Sequence, residues 1–146
     1  MSDFRMLSDS VLASEQLTLA DVAVAKARGI SLIVNNRPEG EAEDQTPGPA
    51  IEAAARAAGM DYLAIPVTPG SFDEAQVRAM CGALGDADGK VLAYCRTGTR
   101  STLLWALAQA AGGEPLESIS AAARAAGYDV SPVFPAMVEL AGRKQD

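Results

Sequence analysis

The sequence contains no histidine, only two cysteines, and fewer basic than acidic side chains, 12 against 19. The missing histidine excludes the most. No Ser–His or Cys–His dyad can form, and no His-Glu-x-x-His zinc motif can exist. Two thiols by themselves cannot build the four-ligand cage of a structural zinc site. Any nucleophile must therefore be activated by fixed dipoles and arginines, and neither a metal nor a cofactor is expected. The net charge of −7 argues against nucleic acid or an anionic membrane surface as partner, since both reward positive patches. Arg143 and Lys144 near the C-terminus are too few to change that.

Long apolar runs are missing as well. The best, Leu103 to Ala111, is interrupted by Gln109 and falls short of a membrane span. The opening "MSDFRMLSDS" lacks the basic start and apolar stretch of a secretory signal. The cytoplasm is the expected location, where two cysteines remain free thiols.

What is present alternates between short aliphatic runs and helical patterns. Ile30 to Val34, Leu63 to Val67 and Val91 to Tyr94 read as buried strands, aliphatic on both alternating faces. Phe4 to Leu7 and Val11 to Ala13 read as an earlier β pair. Thr18, with Asp21 three residues on, caps a helix that runs to about Arg28 before Gly29. Pro49 to Ala58 is a second helix, stopped by Gly59. Ser71 and Glu74 predict a capping box for a third, Phe72 to about Leu84. Further helices start near Arg100, Pro115 and Ser131. This order predicts one α/β domain over residues 1–146, with a mainly parallel sheet and helices on both faces. The heptapeptide "AAARAAG" occurs at 53–59 and 121–127, but its flanks differ and there is no third copy. Convergence on a good helix former with a glycine stop explains it.

The stretch "YCRTGTRS", residues 94–101, puts a thiol between a strand and a helix start. In such a turn backbone N–H groups converge on the helix N-terminus, forming a nest for an anion. Gly98 permits a left-handed backbone there. Arg100 can fork two hydrogen bonds onto an oxyanion, and Arg96 adds charge. The same field favours the thiolate of Cys95, to which Ser101 can donate a hydrogen bond. Thr97, Gly98 and Thr99 complete the anion-binding loop. Cys81 lies on an apolar helical stripe with Val77, Met80 and Leu84 and reads as core; so does Trp105.

The segment Asn35 to Pro49, "NNRPEGEAEDQTPGP", is broken by Pro and Gly and is acidic. It follows a strand's C-terminal end, where ligands collect in open α/β sheets. Asn36 and Arg37 are candidate substrate contacts or else turn and surface residues. Glu39 to Asp44 lacks calcium-loop spacing and reads as a solvated acidic loop.

The heptapeptide from Cys95 to Ser101 resembles the active loop of cysteine phosphatases and of rhodaneses. With "NNRPEGE" at 35–41 and "IPVTPG" at 65–70, the chain is similar to the phosphatase-like family of beta-lactamase-hydrolase-like proteins, labelled both phosphatase-like and sulfur transferase. The resemblance implies a cysteine-phosphatase-like fold of the dual-specificity type. Cysteine phosphatases place one residue more between Cys and Arg and usually a His before the Cys. Here four residues intervene and Tyr94 precedes, which fits the rhodanese pattern Cys-Arg-x-Gly-x-Arg. A phosphatase also needs a general acid. Asp73, 22 residues before Cys95, is the candidate, though a first-turn helix carboxylate is its simpler role. The expectation is therefore a sulfurtransferase that carries sulfane sulfur as a Cys95 persulfide. Its partners would be a small anionic donor (thiosulfate or a persulfide), a thiol acceptor, and a separate persulfide dioxygenase of the kind often fused to related chains. Phosphomonoester hydrolysis through a phosphocysteine is the alternative, and a non-enzymatic anion or persulfide sensor the second.

Overall fold

A computed structural model describes residues 3–145, with the side chains of Lys144 and Gln145 left aside. The first two residues of the N-terminal stretch and the Lys144 side chain read above therefore lie outside what is described. Five strands form one sheet: β1 (Arg5–Met6), β2 (Val11–Ser14), β3 (Ile30–Asn35), β4 (Asp61–Ala64) and β5 (Lys90–Tyr94), in the order β1-β2-β5-β3-β4. Only β1 runs antiparallel, against β2; the other pairings are parallel. The helices are α1 (Leu19–Ala27), α2 (Gly48–Ala57), α3 (Glu74–Asp86), α4 (Thr99–Ala111), α5 (Leu116–Ala125) and α6 (Phe134–Gln145), the last entered through a 3-10 turn at Ser131–Val133.

Two apolar clusters cover the two faces of the sheet. Leu12, Ile33, Leu92 and Tyr94 face α1 and α2, packing with Val22, Ala25, Ile51 and Ala55. Ala13, Val34, Val91 and Ala93 face the other way, toward residues of α3 to α6. Ile30 and Ile33 lie in the same cluster although three residues apart. A register shift between Ile30 and Leu32 accounts for it: one extra residue flips the alternation. Helix α4 lies in the middle of its layer and is buried almost all round, from Arg100 to Ala108. It shows no amphipathic stripe because it has no solvent face. Among the described residues, no helix is long and apolar enough to cross a membrane.

Two elements differ from the sequence reading. The fourth strand ends at Ala64 rather than running from Leu63 to Val67, since Pro66 has no N–H to give a ladder. Ile65 and Val67 are nevertheless buried, and their amides reach Asn35 O and Asn36 O at 2.9 Å each. The capping box of α3 is formed by Asp73 and Gln76, not by Ser71 and Glu74. The box at Thr18 and Asp21 on α1 is present as predicted. The two "AAARAAG" copies end α2 and α5, each closed by a left-handed glycine, Gly59 and Gly127.

Candidate active site

The central strand β5 ends between β2 and β3, and backbone bonds from both neighbours fix the turn that follows. Cys95 N–H donates to Ser14 O (3.3 Å), Gln16 N–H to Arg96 O (3.2 Å) and Asn36 N–H to Tyr94 O (2.8 Å). The chain then enters α4 through Gly98, whose φ is 92°. A side chain is excluded there twice over: by the left-handed backbone and by the Tyr128 hydroxyl, which occupies the place a Cβ would take. Gly98 N–H points inward and donates to Cys95 Sγ at 3.1 Å. The thiol is completely buried under its own loop, while Arg96, Thr97 and Thr99 are exposed around it. Thr97 and Thr99 bond each other through their hydroxyls at 3.1 Å.

Arg100 forks as the sequence suggested, but onto a side chain of the protein itself. Its Nη1 and Nη2 donate to the two carboxylate oxygens of Glu41 at 2.7 and 2.8 Å. Nη1 also donates to Val67 O at 2.8 Å. Arg37 approaches the same carboxylate through Nε at 2.9 Å and ties Nη1 to Gln16 Oε1 at 3.0 Å. The two guanidinium groups thus share one anion. The Arg100 bonds, opposed by desolvation and seconded by Arg37, hold the Glu41 carboxyl down to about 2. Glu41 in turn pushes Arg100 up, assisted by the neighbouring Cys95.

Asn36 and Arg37 are both buried at the site, and each is committed to the protein. Asn36 Nδ2 donates to Ile65 O at 2.9 Å, and its Oδ1 accepts from Ser101 Oγ at 2.8 Å. This corrects the role read for Ser101: its proton goes to Asn36 and not to the sulfur. The acidic loop is solvated as read, with Glu39, Glu41, Glu43 and Asp44 exposed, except that the Glu41 carboxylate turns in onto Arg37 and Arg100 and leaves its side chain 24% exposed. Glu39 accepts from Gly48 N–H at 2.8 Å, at the first residue of α2. The residues that sequence reasoning missed are Glu41, Gln16 and Tyr128. A signal existed for the first, since Glu41 stands four residues after Arg37 inside the motif "NNRPEGE".

Asp73 is exposed and caps α3, accepting from Gln76 N–H at 2.8 Å. It lines a cavity with Leu107, Leu140 and Arg143; Leu107 is about 12 Å along α4 from the loop. Cys81 packs partly buried against the α3–α6 side core, with its thiol on Ala108 O at 3.6 Å; desolvation pushes its pKa up. Trp105 is buried in the same core, as read.

The site therefore offers one sulfur under inward-facing amide and guanidinium groups, at the carboxyl edge of a parallel sheet. Comparison with known proteins places it. Residues 3–112 match the model of the beta-lactamase hydrolase-like protein, phosphatase-like domain. The beta-lactamase hydrolase-like protein of Agrobacterium fabrum is 36% identical over 107 residues, 73% of this chain and 25% of that protein. Its Xylella fastidiosa counterpart is 38% identical over 104 residues, 70% of this chain and 24% of the relative. The chain thus spans about a quarter of the length of the curated relatives it matches. Among solved structures, a Neisseria meningitidis protein named as a candidate phosphatase superposes with a TM-score of 0.82 at 34% identity, covering 93% of this chain and 96% of that one. Tk-PTP in its active form shares the fold, with a TM-score of 0.74 at 16% identity, covering 96% and 97%. With Cys95, Gly98 and Arg100 set in a cysteine-phosphatase-like α/β fold, the chain belongs to the family of the phosphatase-like domain of beta-lactamase hydrolase-like proteins.

Proposed function

We propose that the chain is a cysteine-nucleophile hydrolase of the phosphatase-like class, acting on a small phosphomonoester. The carrying observation is Cys95 Sγ beneath the inward Gly98 amide and beside Arg100, at the sheet edge this fold uses for phosphate chemistry. The family description and the Neisseria protein support it. In the reaction the Cys95 thiolate attacks phosphorus, forming the S–P bond as the P–O bond to the leaving group breaks. Arg100 swings at least one N–H from Glu41 onto the phosphoryl oxygens, and Glu41 keeps the guanidinium oriented. Water then attacks phosphorus, the S–P bond breaks, and inorganic phosphate and the thiolate are released. Asp73 is held in the cap of α3, so the departing oxygen receives no strong push from a side-chain acid. Substrates whose leaving group is already stable as an anion, such as aryl phosphates, are favoured.

One observation favours a second reading. Four residues between Cys95 and Arg100 make a tighter ring than a tetrahedral phosphate prefers, and sulfur transfer needs no general acid. There the Cys95 thiolate attacks the sulfane sulfur of thiosulfate, sulfite leaves with the bonding electrons, and the persulfide passes its outer sulfur to a thiol. A separate persulfide dioxygenase would then act on the product persulfide. Two assays on the purified chain separate the readings. Turnover of p-nitrophenyl phosphate that disappears in Cys95→Ser, without a mass change after thiosulfate, supports the phosphatase. A one-sulfur mass increase after thiosulfate, lost in Cys95→Ser and unaccompanied by phosphate release, replaces it with sulfur transfer. Neither activity in the wild type leaves an anion sensor.

A further inference from the structure

The Gly98 amide meets Cys95 Sγ at 3.1 Å, yet nothing in Gly98 itself aims that N–H inward. Its φ is 92° and its ψ is −11°. Half a turn of the Thr97–Gly98 peptide about the line joining its Cα atoms brings φ to about −90° at nearly the same ψ, a region open to a glycine. The N–H would then face outward and Thr97 O would face the sulfur, an acceptor where the site needs a donor. The surroundings leave this one peptide to be settled. Cys95 N–H is held by Ser14 O at 3.3 Å, and Gly98 O by the N–H (3.0 Å) and hydroxyl (2.9 Å) of Thr102.

The hold on it comes from outside the loop. A trans peptide points its C=O and its N–H in opposite directions. Thr97 O accepts from the Tyr128 hydroxyl at 3.4 Å, on the side away from the sulfur. The same hydroxyl fills the place over Gly98 that a Cβ would take. Tyr128 follows α5 and stands beyond residues 3–112, the stretch that matches the family model. Its own position is fixed by Tyr128 N–H on Ala123 O (2.9 Å), by Arg5 Nη1 on Ala126 O (3.0 Å), and by the Arg5 guanidinium 5.7 Å from its ring centre. Burial pushes the Tyr128 hydroxyl up, opposed by Arg5 and seconded by Cys95, so it keeps the proton that it donates.

We infer that Tyr128 is a positioning residue of the anion loop: by holding the Thr97 carbonyl outward, it keeps the Gly98 amide turned in on Cys95 Sγ and on an anion bound there. The inference rests on the anion-loop reading and adds to it a residue from outside the two turns that build the site. A bond of 3.4 Å is long for a hydroxyl donor. Its effect is therefore to tilt the balance between two backbone states, not to create the site.

The test compares two alkylating probes on the full chain at pH 7, with peptide masses reading Cys95 apart from Cys81. Iodoacetate and iodoacetamide are attacked by the same thiolate, but only iodoacetate carries an anion for the loop to attract. Their rate ratio thus reports the inward amides and Arg100, whereas a change in exposure or in the amount of thiolate moves both rates together. Wild-type Cys95 reacts about tenfold faster with iodoacetate, as hydrogen bonds to a charged group imply. Tyr128→Phe keeps the ring and the fold, removes the hydroxyl, and cuts the ratio about threefold, the worth of one weak neutral hydrogen bond. Tyr128→Leu, which also removes the ring, cuts it at least as far. A ratio that survives Tyr128→Phe, whatever the leucine variant does, overturns the hold on the carbonyl while the anion loop stands. Both rates changing by one common factor would give Tyr128 a packing role only and overturns it as well. No preference for iodoacetate in the wild type removes the anion-loop reading itself, and the positioning role with it.

Discussion

Two turns meet at the carboxyl edge of the sheet, and they are opposite in almost every respect. The β5–α4 turn is four residues long and contributes Cys95 and Arg96, with Arg100 in the first turn of the helix it leads into. The β3–α2 turn is twelve residues long and contributes Glu39, Glu41, Glu43 and Asp44. The short turn holds the group that can react; the long one holds the groups that fix its position. Glu41 joins Arg100 to Arg37, and Asn36 joins Ser101 to Ile65. An acidic protein thus holds two cations side by side at the site by folding a carboxylate in between them.

The largest expected effect breaks the pair of turns apart functionally. Arg100→Gln removes the guanidinium fork beside the sulfur and lowers kcat/KM for p-nitrophenyl phosphate by about 10²–10³-fold, the usual cost of one oxyanion-stabilising group. Arg37→Gln, which leaves Arg100 on Glu41, lowers it by about tenfold or less. Equal losses in the two variants would mean that both arginines touch substrate, and the division of labour between the turns would fall.

The next effect is on folding. Asn36→Ala leaves Ser101 Oγ and Ile65 O without their partner in a fully buried setting, at a cost of about 2–3 kcal/mol. Ser101→Ala removes one bond of the same pair. A double-mutant cycle in urea gives a coupling of about 1 kcal/mol. A coupling near zero would say that the two turns are held together elsewhere.

Glu41 sharpens the comparison through pH. Its carboxyl is held down to about 2, below the ordinary carboxylate range, so the folded chain binds that proton less tightly than the unfolded one. The pair's contribution is complete above about pH 5 and is lost as pH falls through about 2. Glu41→Gln therefore costs about 1–2 kcal/mol at pH 7, with allowance for the solvent that still reaches the carboxylate. The gap from the wild type closes progressively on acidification. A gap independent of pH would mean that the glutamine disturbs packing rather than charge.

What the sequence made legible divides along the same line. The short turn was readable because every requirement was local: a strand end, a thiol, a glycine that must be left-handed and an arginine starting a helix. The alternation of strands and helices gave the parallel sheet for the same reason, and Thr18 with Asp21 gave the cap of α1. The long turn was not readable, because the environment of a carboxylate depends on what it lands against. Arg37, four residues before Glu41 and six before Glu43, is a local clue to the first pairing, but nothing nearby announces Arg100, 59 residues on, which completes the site around Glu41 while Glu43 ends in solvent. Proximity in sequence points Ser101 at the sulfur, whereas Asn36, 65 residues earlier, claims its proton. Tyr128 was invisible for the same reason: its contact with Gly98 exists only after α5 has packed.

The smallest expected effect concerns Asp73, where the functional and structural roles predict opposite outcomes for one conservative change. As the N-cap of α3 its carboxylate accepts from Gln76 N–H while Gln76 Oε1 accepts from Asp73 N–H, each at 2.8 Å. Asparagine caps a helix about as well as aspartate, so Asp73→Asn changes stability by about 0.5 kcal/mol or less, whereas Asp73→Ala costs about 1 kcal/mol. A general acid tolerates neither, because an amide at that position has no proton to transfer. Steady-state rates for aryl phosphates with leaving groups of graded basicity decide between the roles. If Asp73 only caps, Asp73→Asn retains the wild-type rate within about threefold, and its dependence on leaving-group basicity is as steep as that of the wild type. A loss of about 10²-fold or more, growing as the leaving group becomes more basic, would bring Asp73 into the reaction. That result would add the loop before α3 as a third turn to a site that otherwise needs only two.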